Sequence, residues 1–189
     1  MWSALVLSFG VIFVAELGDK SQLMAMAFAA RFKALPVLVG ITIATAATHA
    51  ISVGLGSVLG AQLPTDTIAV IAGVAFLLFA AWTLRGDSLD DDEKSAAERS
   101  TRNAVVAASG AFFLAELGDK TMLATITLAT KEDPWGTFIG STLGMVAADA
   151  LAILVGQILG ARLPERAIRV GATVAFVVFG IVLIVEGIR

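Results

Sequence analysis

The sequence predicts an all-α integral membrane protein with six transmembrane helices, arranged as two inverted three-helix repeats. Three observations predict it. The chain of 189 residues is 58% hydrophobic and only 15% charged, with a mean hydropathy of +0.89, whereas a soluble domain is about half apolar and roughly a quarter charged. Its apolar residues fall into six stretches, each near the length of about 20 residues that a spanning helix needs. A charged hexad near the middle of the first stretch recurs one hundred residues later in the fourth.

The first stretch, about 3–31, has no basic flank and runs into Glu16 rather than a cleavage site, so it reads as a span and not a signal peptide. Turn residues from Lys33 to Pro36 separate it from the second, about 36–61. Leu63-Pro64-Thr65 opens the third, about 67–85. Residues 86–102 are an acidic, solvated loop. The fourth stretch, about 103–130, ends in the turn from Lys131 to Pro134. The fifth, about 135–161, and the sixth, about 166–188, are divided by Leu163-Pro164-Glu165. The predicted organisation is therefore 1–85 as the first repeat, 86–102 as the loop and 103–189 as the second repeat.

Orientation follows from the basic residues. Arg31, Lys33, Arg85, Lys94, Arg99, Arg102, Arg162, Arg166 and Arg169 fall on one side, against Lys131 and Arg189 on the other. The positive-inside rule then predicts a multi-pass protein of the inner (plasma) membrane, with a cytoplasmic acidic loop and both termini outward. A net charge of −3 without a basic block excludes nucleic-acid binding. With no cysteine, there are no disulfides, thiolate metal sites or cysteine nucleophiles. No Ser-His-Asp arrangement, His-Glu-x-x-His or phosphate-cradling glycine loop is present, so neither an enzyme nor a bound cofactor is predicted.

The repeat is extensive. Ala15-Glu16-Leu17-Gly18-Asp19-Lys20 recurs as Ala115-Glu116-Leu117-Gly118-Asp119-Lys120, followed by Ser21 or Thr121. Leu59-Gly60-Ala61, Leu63-Pro64 and Val74-Ala75-Phe76 with Phe79 recur at the same offset, and roughly a third of all positions are identical. Each half holds three stretches, an odd number, so the second half must run upside down relative to the first. Secondary transporters use this plan, with sites at the midplane where the halves meet.

Charges at a span centre cost about 2.5–3.5 kcal/mol each for Asp or Lys, and here they occur twice. On a continuous helix Asp19 and Lys20 fall about 60° and 40° to either side of Glu16, with Gly18 roughly opposite. Internal pairs Glu16–Lys20 and Glu116–Lys120 would leave one carboxylate unmatched in each half. Four carboxylates balanced by Lys20 and Lys120 leave a surplus of about two negative charges, which one divalent cation neutralises. Glu16, Asp19, Glu116 and Asp119 are thus the candidate ligands. Without the cation they repel one another, and one or more is expected to hold a proton that the metal displaces.

Weaker candidates surround them. Ser21, Gln22 and Thr121 could add neutral oxygens or bond their own helix. His49 and Asp149 occupy equivalent places in the second and fifth stretches, as a proton relay, an extra ligand in the case of Asp149, or a polar group satisfied by a neighbour. Gly18 and Gly118 either open the helix, freeing carbonyl oxygens, or let helices pack closely. Gly40, Gly54, Gly56 and Gly60, with Gly140, Gly144, Gly156 and Gly160, form small-residue faces suited to tight packing. Met24, Met26, Met122 and Met145 read as packing, and Trp2, Trp82 and Trp135 as an interfacial belt.

The doubled hexad Glu-Leu-Gly-Asp-Lys-Ser/Thr resembles the Gdt-one family of membrane cation/proton exchangers, whose pattern Glu-x-Gly-Asp-Lys/Arg-Thr/Ser both copies match. The resemblance covers essentially the whole chain. It implies export of Mn²⁺, with Ca²⁺ as a second cargo, in exchange for protons. Its acidic residues carry over to Glu16, Asp19, Glu116 and Asp119, and its basic position to Lys20 and Lys120; His49, Asp149 and Gln22 lie outside the motif. An all-oxygen site independently suits Mg²⁺, Ca²⁺ or Mn²⁺, and magnesium sheds its water reluctantly. The alternative is an exporter of an amino acid or other small organic cation. Expected partners are the divalent ion, protons and the lipid bilayer, with homodimerisation left open.

Overall fold

A computed structural model describes residues 1–62, 64–85, 103–159 and 165–188, and every regular element among them is an α-helix. They are α1 (Trp2–Glu16), α2 (Lys20–Arg31), α3 (Ala34–Gln62), α4 (Thr65–Arg85), α5 (Ala104–Glu116), α6 (Lys120–Ala129), α7 (Pro134–Leu159) and α8 (Glu165–Ile188). The acidic loop 86–102, Gly160 and parts of both Leu-Pro turns lie outside the described residues.

The main departure from the sequence expectation is that the first and fourth stretches are each two helices. Among the described residues, Ala34–Gln62 and Pro134–Gln157 are long and apolar enough to cross a membrane. α1 and α2 pass that test together as a third, bent by 75° at their break. This is fewer than the six spans that hydropathy predicts, partly because residues 17–19 and 117–119 cut two apolar stretches in half.

Local chemistry explains the ends. Gly18 and Gly118 have φ of 76° and 80°, a left-handed conformation that glycine adopts at little cost. Each helix restarts after an aspartate in the N-cap position, Asp19 or Asp119. Asn103 caps α5 by accepting from the amides of Val105 and Val106. Asp133 accepts from Gly136 N–H at 2.7 Å, ahead of Pro134 at the first position of α7, where its missing N–H costs nothing.

The helices pack across the halves more than within them. α1 lies on α7 and α5 on α3; α2 lies on α7 and α6 on α3; α4 pairs with α8. Small residues make the close approaches. A Cβ on Gly40 would strike Val105 O and Ala108 of α5, and one on Gly140 would strike Leu5 of α1, the matching position of the other half. Gly56 likewise abuts Ile126, and Gly156 abuts Met26. Gly54 departs from the expected packing face, with open space where its Cβ would stand. Residues one hundred apart also meet each other. Thr45 Oγ1 donates to Met145 Sδ at 3.4 Å, and the rings of Phe76 and Phe176 are 5.8 Å apart.

Polarity is distributed inside out. Val6, Ile43, Leu78, Leu114, Leu154 and Ile181 are exposed on the outside, whereas Ser8, Thr45, Thr48, Ser52, Thr125 and Ser141 are fully buried. Trp2, Trp82 and Trp135 are exposed and sit close to helix ends, as the interfacial reading expects. So much apolar surface suits lipid rather than water.

Candidate cation site at the two helix breaks

Both hexads fold into the same shape: a helix that ends at the glutamate, an extended leucine, a left-handed glycine, and an aspartate at the N-cap position of the next helix. The continuous-helix wheel therefore does not describe the motif. Asp19 and Lys20 are placed by the break, not by a 100° helical step from Glu16. Of the two readings of the glycines, opening of the helix is the one observed. Gly118 has nothing within 4 Å of where a Cβ would stand, so close packing is not what requires it.

The breaks bring the charges of the two halves together. Lys120 pairs with Asp19 in a fully buried ion pair, and Lys20 lies 3.9 Å from Asp119. The pairing is crossed between motifs: each lysine meets the aspartate of the other motif. Both aspartates stand at the N-cap position of the helix that follows their break, where the two breaks face each other. Glu16 and Glu116 are left at the C-terminal ends of α1 and α5, 0% and 1% exposed.

Asp149 joins them. It is wholly buried on α7, and Glu16, Glu116, Asp19 and Asp149 lie within electrostatic reach of one another. Both carboxylate oxygens of Glu16, both of Asp149 and Oε1 of Glu116 are buried without a hydrogen-bond partner. Glu116 Oε2 accepts from Thr121 Oγ1 at 2.9 Å. Burying an ionised carboxylate in this state is costly unless a cation or proton accompanies it. Among the described residues, no three carboxylate or histidine side chains converge closely enough to hold a metal ion as the structure stands.

The neutral candidates separate. Thr121 touches Glu116 directly. Ser21 offers its amide to Asp19 Oδ2 at 3.5 Å, while its hydroxyl is buried and unpartnered. Gln22 is held at both ends: Oε1 accepts from Gly18 N–H at 2.8 Å, and Nε2 donates to Ala148 O at 2.9 Å. His49 is buried on α3 with Nδ1 unpartnered. Sequence reasoning assigned Met122 to packing alone, but its Sδ accepts from Gly118 N–H at 3.2 Å. The available signal was its register, since it stands where the first half has Gln22.

The chain matches the family described as "Divalent cation/proton antiporter GDT1" over residues 4–91 and 104–189. It is 37% identical over 171 residues to a Vibrio cholerae protein named "Putative manganese exporter", covering 88% of this chain and 83% of that one. It is 34% identical over 209 residues to PAM71, chloroplastic, of Arabidopsis thaliana, covering 95% of this chain but 56% of PAM71. Against GDT1-like protein sll0615 of Synechocystis the identity is 30% over 190 residues, covering 91% and 92% of the two chains. No solved structure matches.

Proposed function

Since the chain belongs to the GDT1 family of divalent cation/proton antiporters, we propose that it exports Mn²⁺ from the cell in exchange for protons, through a site shared by the two helix breaks. The observation that carries this reading is the set of buried, unpartnered carboxylate oxygens on Glu16, Glu116 and Asp149. Hard oxygen donors with surplus negative charge and no thiolate suit Mn²⁺ or Ca²⁺. Mn²⁺ is preferred because the Vibrio relative carries that name.

In this reading the glutamates and Asp149 take up the cation, while Lys120 and Lys20 hold Asp19 and Asp119 and keep the site from carrying still more negative charge. With Lys20 and Lys120 matched to the two aspartates, Glu16, Glu116 and Asp149 carry a surplus of three negative charges, which one divalent cation with one proton, or three protons, neutralise, so the cation exchanges for two of the protons. That is antiport, with two protons per cation as the electroneutral expectation. The proposal includes six spans in two inverted repeats, 1–85 and 103–189, with the site between them; the predominance of packing between the halves favours it. One chain supplies every residue of the site, so the mechanism needs no second copy.

Binding should release protons, because metal and proton compete for the same oxygens. Mn²⁺ titrated into weakly buffered, detergent-solubilised protein at pH 6, 7 and 8 is expected to acidify the solution. Its affinity should weaken as pH falls. Proteoliposomes with an imposed pH gradient and a panel of Mn²⁺, Ca²⁺, Mg²⁺ and lysine then identify the cargo. Zero proton release at every pH, with constant affinity, would leave a uniporter or channel instead.

Orientation has its own measurement. The chain has no cysteine, so cysteines introduced at Ser88 and Ser95 report the acidic loop alone. An impermeant thiol reagent added outside intact cells is expected to leave both unlabelled and to label them after lysis. Labelling in intact cells would invert the proposed topology.

A further inference from the structure

We infer that Gln22 is a positioning residue of the cation site: it fastens the first helix break to α7 beside Asp149, so that Glu16, Asp19 and Asp149 keep their spacing as one unit. This rests on the proposed cation site and adds how its two sides differ.

Gln22 is 2% exposed, and its amide bridges two places. The bond from Gly18 N–H, 2.8 Å, satisfies a backbone amide that the helix break would otherwise leave unmatched. The bond to Ala148 O, 2.9 Å, crosses to the other half of the chain. Ala148 immediately precedes Asp149, so the two bonds set the distance between the break and that carboxylate. An amide can do this because it carries a donor and an acceptor in fixed relation.

Among the described residues, Met122 makes no counterpart to this bridge in the second half. Met122 gives Gly118 N–H a sulfur acceptor at 3.2 Å, and a thioether has no proton to donate onward. The carbonyl of Thr48, which corresponds to that of Ala148, accepts instead from Ser52 Oγ of its own helix at 2.8 Å. α6 is tied to its own motif through Thr121 and Glu116, a bond not seen between Ser21 and Glu16. Beyond the ion pairs that join the two motifs, the first break therefore carries an amide bridge to α7, whereas Thr121 bonds Glu116 of its own motif.

The test compares Gln22→Met and Gln22→Asn with the wild-type chain in Mn²⁺-transporting proteoliposomes. Met keeps the length of the side chain but loses the donor; Asn keeps the amide but falls a methylene short of bridging both bonds. Both variants are expected to raise KM for Mn²⁺ about tenfold, the usual scale for a buried hydrogen bond left unmade, with Vmax within about twofold. Independently of transport, hydrogen exchange of the peptide around Gly18 should accelerate in Gln22→Asn and less in Gln22→Met, whose sulfur can accept from Gly18 N–H as Met122 does from Gly118 N–H, while the peptide around Gly118 should not change. Wild-type KM in both variants overturns the inference, as does a parallel fall of KM-normalised rate and Vmax explained by lower membrane abundance. If the wild-type protein itself moves no cation, the proposed function fails, and unchanged hydrogen exchange at Gly18 would remove the tie as well.

Discussion

Replacing either glutamate of the pair, Glu16→Gln or Glu116→Gln, is expected to abolish Mn²⁺ export while leaving the protein in the membrane. The substitution keeps size and hydrogen-bonding capacity and removes one negative charge. Removing mere supporting partners of a metal ligand typically costs about 10–100-fold, so losing a ligand itself should exceed roughly a hundredfold in transport. Glutamine also removes an unpartnered buried charge, so stability should hold or rise. The measurement is ⁵⁴Mn²⁺ efflux at matched membrane abundance. The glutamates come from different halves, so equal loss in both variants is the signature of one shared site. Near-wild-type efflux from either would mean that the site is not shared.

The second large effect concerns the crossed ion pairs and is unequal between them. Lys120 and Asp19 are both almost completely buried, at 2% and 0% side-chain exposure. Lys20 is 22% exposed and 3.9 Å from Asp119. Breaking a buried pair by removing one member costs about 3–5 kcal/mol, and partial solvation of Lys20 reduces that cost for the second pair, although its Asp119 side chain is only 5% exposed. Lys120→Met is therefore expected to lower the melting temperature in detergent sharply and to reduce the folded fraction. Lys20→Met should do so less, and Asp19→Asn combined with Lys120→Met should recover much of the loss. Equal melting temperatures for the two lysine variants would show that burial does not set the value of these pairs.

Much of this was legible in the sequence because it depends on nearest neighbours or on period. The apolar stretches, the turn residues and the doubled hexad are one-dimensional signals, and the helix ends fall within a few residues of them. The four motif carboxylates stood out because burial of charge is costly wherever the chain folds, and all four are buried. What could not be read is whatever depends on the shape of residues 17–19 and 117–119. Gly18 supports either a break or a packing contact, and only the backbone decides between them. A wheel drawn through the glycine then misplaces Asp19, and the natural pairing Glu16–Lys20 gives way to partners a hundred residues distant. Gln22 and Met122 looked like a weak ligand and a packing residue because their common acceptor role appears only once the break exists. Asp149 was recognisable as a costly charge, but its company was not.

The reciprocal contacts between matching residues carry a consequence for assembly. Thr45 meets Met145, Phe76 meets Phe176, and each motif's lysine meets the other motif's aspartate. Such an interface is self-complementary: two copies of a single half, inserted in opposite directions, would present one another with nearly the same partners. Under the proposed inverted topology, two separate copies of one half would meet as an antiparallel homodimer through these same contacts. A single chain lets the matching positions differ, as Gln22 and Met122 do, and as His49 and Asp149 do.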